Sequence, residues 1–208
     1  IGAKYSKVKG WTVGDKEIQE TLMLELISEN RSKIEVDDYQ SAEMMRGTEL
    51  EPLSAKATCE RFKIHLETVG MLQSDLHKMF KFSPDAVYFN KDKVITGGFE
   101  TKSKSGKKHI EYLLANELPN EHFWQCLCPM VMSKNVKWWI FSHFDDRDMI
   151  NPLFTTILKR SDHEKMIAQC EILIVEFLNE LDRRTIEMGG YYVDPLKDAY
   201  YKDRMIGE

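Results

Sequence analysis

The amino-acid sequence predicts a mixed α/β protein of the α+β type, with one small central mixed sheet flanked by helices. Two observations predict this class. Apolar residues recur at helical spacing towards both ends of the chain, whereas the middle carries short β-prone segments separated by turn residues. The length of 208 residues favours a single domain over 1–208, with a helical N-terminal part (12–68), a core (69–146) and a C-terminal helix and tail (160–208).

The first half of the chain contains two predicted helices and a predicted β-hairpin. Helical spacing of apolar residues predicts one helix over 15–35 and a longer one from 39 to 67, with Gly70 marking the break after it. Two β-prone segments then flank the turn-forming residues 90–93, and they are Ala86–Phe89 and Val94–Lys102. We expect these two segments to pair.

The second half contains three predicted helices and one strand. A short helix is predicted over His109–Ala115, and a second begins near Leu118 and runs through Met132. The segment Lys137–Phe144 is rich in aromatic residues and is predicted as a strand. Apolar residues at helical spacing predict a long helix over Asp162–Met188.

Composition excludes several classes of protein. No apolar run approaches the roughly 18 residues that span a bilayer, so we expect no membrane segment. The four cysteines form no zinc-binding pattern and are expected to be free thiols: Cys59, Cys126, Cys128 and Cys170. The sequence has neither a phosphate-binding loop nor a nucleophile elbow. The chain starts at Ile1 rather than at methionine, so we expect its original start to have been removed.

Two acidic residues and a lysine surround the predicted hairpin. Asp85 follows Ser83-Pro84, and Glu100 and Lys102 lie two residues apart, where a strand directs side chains to one face. Converging carboxylates can hold a hard divalent cation, and a nearby lysine can orient or deprotonate water. This combination is what phosphodiester hydrolysis requires, so it predicts a metal-dependent nuclease. Taken singly, the same residues could be an ordinary turn and a surface ion pair.

Two further polar residues lie among apolar neighbours on predicted helices. Glu51 belongs to the segment 45–51; it is either a buried carboxylate that needs a partner or a surface charge. Gln125 is either bonded to backbone or directed into a pocket.

The net charge of −5 opposes a general attraction to nucleic acid, but a local basic run follows Lys102 and could guide a DNA backbone: Lys104, Lys107 and Lys108.

The order of these motifs carries a family resemblance. Four stretches, together with the strand Lys137–Phe144 and the Asp145-Asp146-Arg147 that follows it, occur in a specific order: 45–51, 82–85, 99–102, and 118–119 with 123–125. In this respect the chain resembles the phage λ-type exonucleases of the YqaJ-like viral recombinase family, within the PD-(D/E)xK nuclease superfamily. It departs from the pattern at Ala86, where the family usually has glycine, and at Leu127, where a second glutamine is common.

The resemblance implies a restriction-endonuclease-like core and a role for each matching residue. It implies catalytic roles for Asp85, Glu100, Lys102, Gln125 and Glu51. The metal ligands would be Asp85, Glu100, Glu51 and the backbone carbonyl of Thr101, holding Mg²⁺, with two ions expected and Mn²⁺ as a substitute. The expected DNA contacts are Arg46, Lys104, Lys107, Lys108 and His109.

The implied activity is 5′→3′ digestion of one strand of linear double-stranded DNA, leaving 3′ single-stranded tails for recombination by strand annealing. The expected partners are duplex ends, two further copies of the chain in a trimeric ring, and a single-strand annealing protein. The expected location is the cytoplasm of a bacterial host of a phage or prophage. Three alternatives stay open: a restriction-like or repair endonuclease on the same fold, a DNA-binding protein with a decayed site, and a scaffold with surface ion pairs.

Overall fold

The structure is a computed structural model that describes residues 1–32 and 42–189. The chain divides into two compact units, one formed by Ile1–Asp37 with Ile172–Glu208 and the other by Asp38–Glu171. The assignment of 1–208 to a single nuclease domain therefore stays a prediction. In the described part of the chain, no helix is long and apolar enough to cross a membrane.

The first unit combines a hairpin with helical segments. Strands β1 (Lys4–Ser6) and β2 (Gly10–Thr12) pair antiparallel. Helix α1 (Lys16–Ser32) follows, and Asp15 accepts a hydrogen bond from its first turn. The C-terminal part of α5 (Glu164–Glu187) belongs to this unit, where its Arg184 donates to Glu20 of α1. The predicted helix over 15–35 is confirmed from 16 to 32, and 33–35 lie outside the described residues.

The second unit is built on a four-stranded mixed sheet. Its strands are β5 (Ala86–Phe89), β6 (Ile95–Lys102), β7 (Trp138–Phe144) and β8 (Leu153–Lys159), in that spatial order. The β5–β6 and β7–β8 pairs are antiparallel, whereas β6 and β7 are parallel. The predicted mixed sheet is confirmed, with three of its strands foreseen. Strand β8 was not predicted; in it, Phe154 and Leu158 are buried and lysine ends the segment.

Three helices contact this sheet. Helix α2 (Ala42–Phe62) contacts β6, β7 and β8, helix α3 (Gly106–Ala115) contacts β7 and β8, and helix α4 (Phe123–Met132) contacts β6 and β7. The short strands β3 (Leu72–Gln73) and β4 (Lys81–Phe82) form a separate antiparallel pair. Parallel pairing of β6 and β7 requires the long crossover that α3 and α4 supply.

The end of α2 corrects the sequence prediction. We predicted this helix to continue to Glu67, but it ends at Phe62 because Lys63 takes a left-handed conformation, with φ of 54°. Glu67 instead exchanges two backbone hydrogen bonds with Val87 of β5, at 2.8 and 2.9 Å. The residues after the helix are therefore recruited to the edge of the sheet, a long-range pairing that local periodicity does not reveal.

Candidate active site

The end of β6 carries a carboxylate and an amine on the same face. Glu100 is almost fully buried, at 4% exposure, and Lys102 is half-buried. Their side chains meet directly, since Lys102 Nζ lies 2.6 Å from Glu100 Oε1. Thr101 stands between them and directs its side chain to the opposite face of the strand, as alternation requires. The predicted same-face arrangement of Glu100 and Lys102 is therefore present.

The hairpin brings Asp85 to the same place. Asp85 immediately precedes β5, and the pairing of Ala86 with Phe99 sets it beside the last residues of β6. Its Oδ2 atom accepts a hydrogen bond from the backbone N–H of Thr101 at 2.7 Å. Asp85 and Glu100 consequently lie on the same side of the molecule, as the sequence-based site requires.

The fourth group, Glu51, comes from α2. Its carboxyl is half-buried, and the pKa of Glu51 is raised by burial and by the negative charge of Asp85, with Lys102 acting in the opposite direction. Because the Glu51 carboxyl interacts electrostatically with Asp85 and Lys102, α2 must place it near the end of β6. Of the two interpretations left open by the sequence, the structure favours the inward-facing carboxylate.

Each of the three carboxyl groups of the cluster has a raised pKa. Burial raises the pKa of Asp85, although the Thr101 N–H and Lys102 act against this rise. Burial also raises the pKa of Glu100, and the neighbouring charge of Asp85 adds to the effect. When Glu51, Asp85, Glu100 and Lys102 are all ionised, three negative charges face one positive charge. The fully ionised cluster therefore carries an excess of negative charge.

Lys102 is held as an ammonium ion. Burial by itself would lower the pKa of Lys102, but the attraction of Glu100, followed by that of Asp85 and Glu51, outweighs burial and raises it. To act as a general base, Lys102 would need a lowered pKa, which is the opposite of the shift found here. In this arrangement its chemistry is that of a hydrogen-bond donor that can orient water or a phosphate oxygen.

Gln125 lies on α4, and its side chain is exposed. Its Oε1 atom lies 3.0 Å from His122 Nδ1, and the His122 ring stacks on Phe141 of β7 with 4.8 Å between centroids. Since an amide oxygen only accepts, this bond puts the His122 proton on Nδ1. Sequence reasoning did not single out His122, a buried residue that orients the Gln125 amide.

The predicted DNA contacts lie in two groups, and each member has an acidic partner. Arg46 of α2 pairs with Asp146 and, at 3.4 Å, with the buried Asp145 that follows β7. Asp145 also accepts two bonds from the Arg147 guanidinium, which hold the pKa of Asp145 at about 2. The lysines lie at or near the start of α3: Lys104 is 3.2 Å from Glu121, Lys108 is 2.9 Å from Glu111, and Lys107 is 3.9 Å from Glu111.

His109 differs from the other predicted contacts because its ring is fully buried. Its Nδ1 atom lies 2.9 Å from His143 Nδ1, and its Nε2 atom lies 2.7 Å from the carbonyl oxygen of Asn151. His143 Nε2 in turn accepts the backbone N–H of Lys104 at 3.0 Å. Both ring nitrogens of His109 are thus used inside the protein, and its side chain is not available to a phosphate.

These bonds determine the tautomers of the histidine pair. Because His143 Nε2 accepts from Lys104, the neutral His143 ring carries its proton on Nδ1 and donates it to His109. His109 then carries its proton on Nε2 and donates to Asn151. Burial, together with the proximity of His109, lowers the pKa of His143 to about 4. The pair therefore links the loop after Lys102 to the β7–β8 loop through hydrogen bonds that need a neutral His143 ring.

The cluster suits a cation by charge, although its side chains are not yet arranged as ligands. Within residues 1–32 and 42–189, no group of three or more His, Cys, Asp or Glu side chains is spaced to hold a metal ion. The ammonium of Lys102 instead contacts Glu100 Oε1, and the N–H of Thr101 contacts Asp85. Carboxylate oxygens are nevertheless the donors that Mg²⁺ and Mn²⁺ prefer. A divalent cation would therefore share the Glu100 carboxylate with Lys102 or displace Lys102 from Oε1.

Solved structures with the same fold are known. The crystal structure of an alkaline exonuclease from Laribacter hongkongensis superimposes with a TM-score of 0.68 and 26% sequence identity, covering 85% of this chain and 86% of that one. A crystal structure of LHK-Exo in complex with dAMP gives a TM-score of 0.66 and 27% identity, covering 81% of this chain and 82% of the other. No curated protein sequence is significantly similar to this chain.

The sequence model of a known domain family matches most of the chain. The match covers residues 3–135 and includes Glu51, Asp85, Glu100, Lys102 and Gln125. It agrees with the order of motifs from which the sequence alone predicted the family. The protein belongs to the family defined by the YqaJ-like viral recombinase domain.

Proposed function

We propose that this chain is a divalent-metal-dependent exonuclease that degrades one strand of linear double-stranded DNA. The observation that carries the proposal is the convergence of Asp85, Glu100, Lys102 and Glu51 at the end of β6. Membership of a viral recombinase family and the similarity to an alkaline exonuclease support the same activity. Water alone hydrolyses phosphodiesters slowly, so a charged site that positions both water and phosphate is the minimum requirement.

In the proposed site the carboxylates and one carbonyl hold Mg²⁺. Asp85, Glu100 and the Thr101 carbonyl would bind one ion, and Glu51 would help to bind a second, with Mn²⁺ as a substitute. Bound ions of this kind activate water and neutralise charge on the phosphate. The excess of negative charge among Glu51, Asp85 and Glu100 supports this assignment, because each added positive charge relieves repulsion among buried carboxylates.

Lys102 has a separate role. Once released from Glu100, its ammonium donates hydrogen bonds to the attacking water or to a phosphate oxygen and holds the nucleophile in line. The raised pKa of Lys102 favours this donor role over that of a general base. Gln125, whose amide oxygen is bound by His122, would direct its N–H groups towards the substrate.

The direction of digestion and the partners are part of the proposal. We infer 5′→3′ polarity, 3′ single-stranded products, assembly into a trimeric ring and transfer of the product strand to an annealing protein. Family membership supports the role in recombination. The exposed Lys107 and the partly exposed Arg46, Lys104 and Lys108 would contact the DNA backbone, each exchanging a carboxylate for a phosphate.

The test is a digestion assay on a linear duplex labelled at either end. The wild type should release label only with Mg²⁺ or Mn²⁺ and only from a free end, with the 5′ label released first. Lys102→Ala should reduce the rate about 10²–10³-fold, the usual cost of losing a transition-state donor. Lys91→Ala, an exposed lysine in the β5–β6 turn, serves as the matched control and should cut normally.

Two controls make the result decisive. Lys102→Gln accompanies Lys102→Ala in case the smaller side chain fails to fold, and circular dichroism establishes that each variant is folded. Cleavage by folded Lys102 variants at the wild-type rate would refute the assigned site. Nicking of closed circular DNA would instead identify an endonuclease, and an absence of any cleavage by the wild type would refute the activity itself.

A further inference from the structure

Three hydroxyl groups form a closed ring beneath the candidate active site. Ser54 of α2, Thr101 of β6 and Ser142 of β7 are 0%, 3% and 0% exposed. The Ser54 Oγ atom lies 2.7 Å from Thr101 Oγ1 and 2.8 Å from Ser142 Oγ, and Ser142 Oγ lies 2.8 Å from Thr101 Oγ1. Side-chain hydroxyls from three separate elements therefore meet in a buried region.

The direction of each bond follows from counting protons. Each hydroxyl has one proton, so three bonds among three hydroxyls require each group to donate once and to accept once. Ser142 donates to Thr101. Thr101 must then donate to Ser54, and Ser54 to Ser142. Hydrogen bonds that run in one direction around a ring strengthen one another in a region of low dielectric constant.

The ring connects the elements that carry the acidic cluster. Thr101 lies between Glu100 and Lys102, and its backbone N–H holds Asp85 at 2.7 Å. Ser54 lies three residues after Glu51 on α2, so the two side chains are neighbours on adjacent turns of the helix. Rotation or sliding of α2 over the sheet would move Glu51 relative to Asp85 and Glu100, and would also break the ring.

Packing by itself does not explain why these three residues are polar. Four residues further along α2, Thr58 is also fully buried, yet its hydroxyl has no hydrogen-bond partner among the residues that the structure describes. The helix therefore packs here without needing a bond from every hydroxyl. Replacing all members of a buried hydrogen-bonded set by apolar groups of similar shape is often nearly neutral for stability. The contribution of the ring is thus a defined position of α2 on the sheet.

We propose that the ring of Ser54, Thr101 and Ser142 is a positioning device that sets the place of Glu51 relative to Asp85 and Glu100, and thereby the affinity of the site for divalent cations. This inference rests on the proposed metal-dependent function. Its members do not touch the cation through their side chains; they act through the helix and strand that present the carboxylates. Groups that orient metal ligands typically change metal affinity by about 10–100-fold when they are removed.

The test is calorimetric titration of the full chain with Mn²⁺ in the absence of DNA. Ser54→Ala and Ser142→Ala should each bind Mn²⁺ about 10-fold more weakly than the wild type. A triple variant, Ser54→Ala with Thr101→Val and Ser142→Ala, removes donors and acceptors together. It should keep the wild-type unfolding temperature and bind Mn²⁺ at least as weakly as the two single variants do. Thr58→Val is the matched control, since it removes a buried hydroxyl of the same helix, and its affinity should be unchanged.

Each outcome decides the inference. Wild-type Mn²⁺ affinity in the folded triple variant would overturn it, and so would an equal loss of affinity in Thr58→Val. A wild-type chain that binds Mn²⁺ but cuts no DNA refutes the proposed function alone, because the titrations still measure the effect of the ring. A wild-type chain that binds no divalent cation overturns both.

Discussion

Replacing Gly98 with alanine perturbs the sheet where β6 faces the most enclosed side chain of β7. Gly98 pairs in parallel register with Trp139, whose side chain is fully buried. A Cβ atom on Gly98 would lie 2.3 Å from Trp139 Cη2 and 2.4 Å from Cζ3. Carbon atoms in contact are about 3.5–4.0 Å apart, so the buried indole would have to move by about 1 Å.

The size of the effect follows from what the indole can do. Overpacking of a core costs about 1–3 kcal/mol, and we expect the upper end for Gly98→Ala because the Trp139 side chain is fully buried and its ring packs against Phe82. Gly97→Ala would meet Trp138 Cε2 at 2.2 Å, but Trp138 is half-buried beside an open groove of about 560 Å³. Its ring can rotate outwards, and we expect about 1 kcal/mol.

Gly47 provides a control of opposite sign. It lies within α2, and apart from its chain neighbours and the backbone of the same helix, no atom of the described residues lies within 4 Å of the position of its added Cβ. Gly47→Ala should therefore stabilise the protein by about 0.5–1 kcal/mol, because alanine loses less backbone entropy in a helix. Urea unfolding followed by far-UV circular dichroism gives all three free energies. A Gly98→Ala variant as stable as the wild type, or a Gly97→Ala variant less stable than Gly98→Ala, would refute the reasoning.

Three further predictions concern charge and hydrogen bonding. The pKa of His143 is about 4 instead of the ordinary 6.5, so between these pH values the unfolded chain binds a proton that the folded chain lacks. Acidification from pH 6.5 to pH 4 should therefore lower the unfolding free energy by up to about 3 kcal/mol, at 1.36 kcal/mol per pH unit. The dependence of the unfolding free energy on pH should be weaker in His143→Phe. Arg160 donates to the carbonyls of Val136, Ser133 and Met130, so Arg160→Met should cost about 2 kcal/mol in urea unfolding, whereas Lys159→Met at the exposed neighbour should be neutral. Glu51→Gln should raise the unfolding temperature of the metal-free protein at neutral pH, because it removes one of the repelling carboxylates, while weakening Mn²⁺ binding; a lower unfolding temperature would contradict the charge argument.

Local patterns were sufficient for the part of the site that lies on one hairpin. Alternation along a strand puts Glu100 and Lys102 on one face, and the turn between β5 and β6 returns the chain so that Asp85 meets them. Both relations depend on residues fewer than twenty positions apart. Turn chemistry and strand period govern such distances, and both can be read without knowing the rest of the fold.

Contacts between residues that lie far apart in the sequence could not be predicted from local patterns. The burial of His109 depends on His143 and Asn151, and the end of α2 depends partly on pairing between Glu67 and β5. A histidine after a lysine run has the same local sequence whether its ring is solvated or enclosed. Strand β8 was not predicted for a related reason: its alternation of buried and less buried residues is established only by its pairing with β7.

The sequence alone determined the class of fold, the family and the acid–acid–lysine arrangement on the hairpin, because all three depend on residue type and on the order and spacing of short motifs. Only the tertiary structure decided that α2 brings Glu51 to the same cluster, that Lys102 is held as an ammonium against Glu100, and that three hydroxyls close a ring below them. The physical reason is that burial and electrostatic coupling depend on which distant segments pack together, and no single segment contains that information.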